Sequence, residues 1–208
     1  MLEIENVTIS YGDLTILDNV NLVVNNTPVI LLGPNGSGKT SLIRAISGLI
    51  PYKGSIKIKG KEVRNSRGIL EYSTNLPEVY TIASTPWEIA KINTELKGGD
   101  PNEFLKLVDF LEVDKKVIKR PIYRLSTGQN SLVRLALTLF TEPKIVTLDE
   151  PFENVDVKRR NKVLELIKGR VKEGIIVTHD LRIPKLLEGV KVYSVSNGKL
   201  VEGIDENI

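Results

Sequence analysis

Apolar and polar residues alternate along residues 2–10, with Leu2 and Ile4 in phase and then Val7 and Ile9, and less regularly along 16–24. A period of two belongs to a strand with one buried face, so both stretches predict antiparallel strands with a solvated side. Tyr11-Gly12 and Asn25-Asn26 supply turn residues. The pattern then changes: Pro28–Leu32, Lys144–Leu148 and Gly174–Thr178 are nearly continuous apolar runs. Such runs predict strands covered on both faces, the habit of a parallel sheet. Leu42, Ile43, Ile46 and Leu49 recur at helical spacing, and helices are expected over about 128–140 and 157–171. A short alternating strand lies between Gly54 and Gly60, another is predicted over 69–72, and Val190–Val195 leads into an Asn197-Gly198 hairpin turn and a last short strand.

The middle of the chain reads differently. Thr85-Pro86-Trp87-Glu88 offers an N-cap, a proline at the first helical position and a glutamate at the third, opening a helix to about Leu96. Asp100-Pro101-Asn102-Glu103 repeats the device before Phe104, Leu105, Leu107, Val108 and Leu111, and Gly98-Gly99 separates the two. Residues 76–124 are therefore expected to form an inserted helical subdomain within a core made of 1–75 and 125–208. The expected class is α/β: a mostly parallel sheet with an N-terminal antiparallel β-subdomain and the helical insertion.

Composition narrows the picture only a little. With 208 residues, 41% hydrophobic and 26% charged, the chain suits one soluble globular domain with a sizeable core. A formal charge of +3 is too mild to indicate nucleic acid or an anionic membrane, and the basic clusters Lys115-Lys116, Lys119-Arg120 and Lys158-Arg159-Arg160 read as solvated surface. The absence of cysteine removes disulfides and thiolate metal sites, which suits a cytosolic location. Met1–Glu5 lack the basic start and apolar core of a signal peptide, and no apolar run approaches the roughly 18 residues of a membrane span. Work at a membrane would need a second chain.

Chemistry enters at Gly33-Pro34-Asn35-Gly36-Ser37-Gly38-Lys39-Thr40, between a buried strand and a helix. This is a P-loop in its proper context: glycines let backbone N–H groups curl around an anion, and the helix N-terminus adds positive potential. Lys39 is placed to reach the β- and γ-phosphates and the Thr40 hydroxyl to join Mg²⁺, so a nucleoside triphosphate is expected.

Further candidates lie along the chain. Asp149 and Glu150 end an apolar strand, where parallel sheets bind ligands; Asp149 suits a water-mediated magnesium contact and Glu150 a proton acceptor for the attacking water. His179, the chain's single histidine, ends the next strand, either as a structural residue or as a γ-phosphate contact. Leu125-Ser126-Thr127-Gly128-Gln129 opens a helix, with Ser126 either a plain N-cap or part of a second anion site. Its distance from Lys39 in sequence suggests that such a site would serve a second chain, head to tail. Tyr11 precedes the P-loop in a turn, where it is either a base-stacking ring or an ordinary aromatic.

In this order the motifs resemble the ATP-binding cassette (ABC) family, and the resemblance covers nearly the whole chain. It implies a P-loop NTPase core of the RecA/F1 kind, ATP and Mg²⁺ as cofactors, and an ATPase that couples hydrolysis to transport. ATP would be bound by Tyr11, Gly33–Thr40 and Ser41, and, from a second ABC domain, by the signature residues Ser126, Thr127, Gly128 and Gln129. Catalysis would fall to Glu150, His179 and Lys39, magnesium to Thr40, Asn75 and Asp149, and the D-loop role to Asp156. The implied partners are a transmembrane permease subunit and a second cassette, with no nucleic acid expected, at the cytoplasmic face of a membrane.

Two positions depart from the family pattern. Asn75 stands where glutamine is usual, keeping the amide oxygen on a shorter arm, and Thr127 stands where glycine is commonest. Two other functions therefore stay open: a soluble ABC ATPase of DNA repair or translation, and a cassette that dimerises on ATP but hydrolyses it weakly.

Overall fold

The computed structural model describes residues 1–65, 71–81 and 83–205. In chain order the elements are β1 (Leu2–Tyr11), β2 (Leu14–Val24), β3 (Pro28–Leu32), α1 (Lys39–Ile46), β4 (Lys53–Ile58), β5 (Lys61–Glu62) and β6 (Tyr72–Thr74). They continue as α2 (Pro86–Lys97), α3 (Pro101–Phe110), α4 (Thr127–Leu139), β7 (Ile145–Asp149), α5 (Val157–Arg170), β8 (Gly174–Thr178), α6 (Ile183–Leu186), β9 (Lys191–Ser196) and β10 (Lys199–Glu202). They fall into two compact units, one made of 1–69 with 172–208 and the other of 70–171.

The first unit holds both kinds of sheet. β2, β1, β4 and β5 pair antiparallel in that order. The alternation read from sequence is the buried face: Leu2, Ile4, Val7 and Ile9 of β1 face Leu17, Val20, Leu22 and Val24 of β2 from the same core. Asn6, at φ 51°, bulges β1 between Ile4 and Val7. Gly54 lies against this bulge, where a Cβ would collide with the carbonyl oxygens of Asn6 and Glu5. β3 pairs in parallel with β8 on one side and β9 on the other, and Val29–Leu32 and the whole of β8 are buried, as their unbroken apolar runs predict. Asn197 (φ 48°) and Gly198 (φ 74°) make the two-residue hairpin between β9 and β10.

The second unit contains the helices of the 76–124 stretch together with α4, α5 and the parallel pair β6–β7. Both predicted caps form. Thr85 Oγ1 accepts from Glu88 N at 3.3 Å while Glu88 Oε2 accepts from Thr85 N at 3.0 Å, and Asp100 accepts from Asn102 N at 2.8 Å. The core between α3 and α4 is anchored by Phe104 and Phe140, whose rings meet edge to face with centroids 5.9 Å apart. The C-terminal end of α3 is tied to α5: Arg159 and Lys162 donate to the carbonyls of Glu112 and Phe110, and Lys158 and Lys162 pair with the Glu112 carboxylate.

The strand predicted over 69–72 is corrected. Ile69 and Leu70 lie outside the described residues, Glu71 is in a turn, and the strand occupies Tyr72–Thr74. Ser73 and Thr74 are buried despite their polarity, because their polar groups find partners: Tyr80 Oη donates to Thr74 O at 2.7 Å, and Lys97 Nζ reaches Ser73 Oγ at 2.7 Å. β5 and α6 carry no signal in the apolar pattern.

Lys97 also donates to Tyr72 O at 2.8 Å. Burial pulls its pKa from 10.5 to about 8. Between those values the unfolded chain binds more protons than the folded one, so stability rises with pH there, and the full cost of the buried charge is present below pH 8. The chain should gain urea resistance relative to a Lys97→Met variant as pH is raised from 7 toward 10. Parallel urea midpoints across that range would rule out the shift.

Candidate functional site

The P-loop lies wholly in the first unit. Gly38 caps α1 with φ 101°, and a Cβ there would approach Ile16 Cγ2 to 2.8 Å and Leu17 to 3.0 Å, so the loop closes against β2 only with glycine. Lys39 is 5% exposed, and its Nζ donates to Gly33 O at 2.7 Å and Pro34 O at 2.8 Å. Its ammonium is thus held inside the curve of the loop, at the N-terminus of α1, where an anion's phosphates are favoured. Pro34, Asn35 and Gly36 are exposed, and Ser37 and Thr40 are half-buried.

Two other candidates join the loop. Tyr11 is 47% exposed and its hydroxyl lies 3.3 Å from Ser41 Oγ, which fixes the ring beside the first turn of α1. β8 runs parallel to β3 with Leu32 opposite Thr178, so Gly33 and His179 leave adjacent strands at the same edge. His179 is exposed, while Thr178 is buried and its hydroxyl accepts from Asp180 N at 3.1 Å.

The remaining candidates lie in the second unit. Asp149 ends β7, and Glu150 comes next with φ 44°, a left-handed conformation uncommon for a residue with a Cβ and frequent at functional positions. Pro151 and Phe152 behind it are buried, and Glu153 N donates to Glu150 O at 3.0 Å, closing a tight turn.

Asn75, expected as a magnesium contact, is hydrogen-bonded to the backbone of Asp149. It is 5% exposed, its Nδ2 donates to Asp149 O at 2.9 Å, and its Oδ1 accepts from Asp149 N at 2.7 Å. Both polar atoms of the amide therefore hold the backbone of the acidic residue.

Ser126 forms an N-cap: Ser126 Oγ accepts from Gln129 N at 3.3 Å, and Gln129 Oε1 accepts from Ser126 N at 3.1 Å. The serine stays exposed. Thr127 opens α4 without a left-handed backbone, so nothing at this position requires glycine. Gly128 is different: a Cβ would lie 2.7 Å from Asn154 O, so the signature turn and the D-loop touch backbone to backbone. Asp156 caps α5, accepting from Arg159 N at 3.1 Å and pairing with its guanidinium at 3.2 Å.

Sequence reasoning missed Arg134. It projects from α4 among buried Leu132, Val133, Leu135 and Ala136, and donates to Asn75 O at 3.0 Å. A lone cation in an otherwise apolar helix segment was the signal that could have found it.

These features accompany similarity to known proteins. The family model described as ABC transporter matches residues 17–153, more than half of the chain, and the match spans the P-loop, Asn75, the signature turn, Asp149 and Glu150. The chain belongs to the ABC transporter family: it has the P-loop NTPase fold of an ABC ATPase and binds ATP. It is 31% identical over 199 residues to the taurine import ATP-binding protein TauB of Escherichia coli O157:H7, covering 87% of this chain and 74% of TauB. It is 29% identical over 219 residues to ABC transporter G family member 20 of Dictyostelium discoideum, of whose length it spans 29%. Among solved structures, a candidate cobalt transport ATP-binding protein, cbiO-2, superposes with a TM-score of 0.91 at 48% identity, over 96% of this chain and 78% of that one.

Proposed function

We propose that this chain is the ATP-hydrolysing subunit of a membrane transporter, working as one of two cassettes on a separate transmembrane permease. The observation that carries the reading is the Lys39 ammonium inside a glycine loop at a helix N-terminus, in a chain of the ABC transporter family. TauB is named for import, and cbiO-2 for cobalt transport; this chain is assigned to the same kind of work. No helix among the described residues is long and apolar enough to cross a membrane, so the permease would supply the span and hold the cassette at the cytoplasmic face.

The roles follow from the chemistry of each group. Tyr11 stacks on the base, and Gly33–Thr40 with Ser41 bind the phosphates. Thr40 and Asp149 offer the hard oxygen donors that Mg²⁺ prefers, and Mg²⁺ keeps water and phosphate oxygens in the rest of its shell. Bound there, magnesium would neutralise charge on the β- and γ-phosphates. Glu150 takes a proton from the attacking water as the bond from the γ-phosphorus to ADP breaks, and His179 donates to the γ-phosphate.

Ser126–Gln129 would complete the site on a second copy or a related cassette, with Asp156 at the junction. ATP then favours the closed pair, and release of phosphate reopens it, because only the triphosphate bridges both halves.

Replacing Lys39 by alanine removes a charge-assisted phosphate contact of about 1.5–3 kcal/mol, so ATP affinity should fall about 10–100-fold. Titration with a fluorescent ATP analogue checks this, and an unchanged Kd would refute the assignment. The transport reading itself is tested by isolating tagged protein from detergent-solubilised membranes. Recovery without any multi-span protein, together with steeply salt-dependent binding to duplex DNA or RNA, would replace it by the soluble alternative.

A further inference from the structure

Behind the acidic pair lies a buried polar arrangement that the proposed reaction does not use. β6 and β7 run in parallel with Thr74 opposite Thr147, and Asn75 sits just past the strand end. There its side chain takes over the ladder, with the two hydrogen bonds to the Asp149 backbone that a neighbouring peptide would make. The main-chain oxygen of Asn75 accepts from Arg134 Nη1, so the amide is itself held from α4. The same helix contributes Thr138, whose hydroxyl lies 2.7 Å from Tyr80 Oη, and Tyr80 in turn donates to Thr74 O.

Arg134 is an expensive way to secure one carbonyl. Burial pulls its pKa down, opposed by Tyr80, Asp149 and Glu78, and its Nε makes no hydrogen bond. A half-buried cation with an unused donor carries a desolvation cost that an apolar residue of similar shape does not. Its electrostatic partners include Asp149, on the strand that Asn75 holds. What the guanidinium supplies, and an apolar side chain would not, is both a fixed grip on Asn75 and positive potential behind two neighbouring carboxylates.

We infer that Arg134 and Asn75 are positioning residues for ATP hydrolysis: Arg134 fixes Asn75, and the Asn75 amide fixes the backbone from which Asp149 and Glu150 project. This rests on the roles proposed for Asp149 and Glu150. A carboxylate beginning at φ 44° needs such support, since an unrestrained backbone would relax toward ordinary conformations. Neither residue is among those proposed above to hold ATP, so ground-state binding at the P-loop should be indifferent to them.

Steady-state ATPase kinetics on purified Arg134→Met, Arg134→Lys, Asn75→Ala and Asn75→Gln, with circular dichroism to confirm folding and Glu150→Gln as reference, test the inference. Arg134→Met and Asn75→Ala should lower kcat about 10–100-fold, as loss of outer-shell support commonly does, with KM for ATP changed less than about twofold. Arg134→Lys should recover most of kcat. Asn75→Gln should not recover it, because its longer arm breaks the paired hydrogen bonds. A folded Arg134→Met or Asn75→Ala variant with parental kcat, or a rise in KM at unchanged kcat, would overturn the inference. If Arg134→Met fails to fold, Asn75→Ala decides alone. Loss of turnover in Glu150→Gln with none in the clamp variants would sink only the clamp, whereas full turnover in Glu150→Gln would remove the roles on which it rests.

Discussion

Glu150→Gln should lower ATP turnover about 10²–10⁴-fold, the usual worth of a positioned general base. The substitution keeps the shape of the side chain and its capacity to orient water, and removes only the ability to take the proton. The surroundings give it little room to compensate. Glu150 starts from a left-handed backbone, its carbonyl closes a turn with Glu153, and Pro151 and Phe152, both buried, anchor the C-terminal side of that turn. Asp149, one residue earlier, is held on both sides by Asn75. ATP binding uses the P-loop and should survive, so the variant should accumulate as an ATP-bound dimer that elutes earlier in gel filtration. Wild-type turnover in Glu150→Gln would show that another group takes the proton. Low turnover in the unaltered chain would favour the weakly hydrolysing switch.

Phe104→Ala should destabilise the chain by about 3–5 kcal/mol, the range for truncating a large buried aromatic. Phe104 is fully buried on α3 and meets Phe140, the C-cap of α4, edge to face, so truncation loses the transfer of the ring from water and leaves a cavity. Leu107 and Val108 of α3 and its C-cap Leu111 are buried alongside, and the rigidity of their packing limits how far the cavity can collapse. Since α4 also carries the signature turn and Arg134, the variant should lose ATPase activity at temperatures where the parent is unaffected. Chemical denaturation followed by circular dichroism measures the loss; a change under about 1 kcal/mol would mean that the α3–α4 interface is not a core.

Much of the scaffold was legible because physical signals agreed locally. β3 and β8 are read residue for residue, since each is an apolar run that stops at a P-loop glycine or at Thr178 before the exposed His179. The caps at Thr85, Asp100 and Ser126 depend on residues within three positions of each other, which makes them visible in sequence. The strand at Tyr72–Thr74 is displaced from its expected place for the opposite reason. Its Ser73 and Thr74 look solvent-facing, and the groups that satisfy them, Lys97 and Tyr80, lie elsewhere in the chain. The same limit applies to Asn75. Sequence could name an amide at this position, but not that both its polar atoms would go to the backbone of residue 149, far away in sequence.

The contact at Gly128 bears on how two nucleotides would be counted. A missing Cβ lets the signature turn rest on the Asn154 carbonyl, and Asn154 comes directly after the turn closed between Glu150 and Glu153. In a head-to-tail pair, the turn that reads the partner's ATP would thus press on the loop leaving the chain's own acid. On the proposed roles, occupancy of one nucleotide would be felt at the other through this close approach, so ATP turnover would depend on ATP concentration with a Hill coefficient above one.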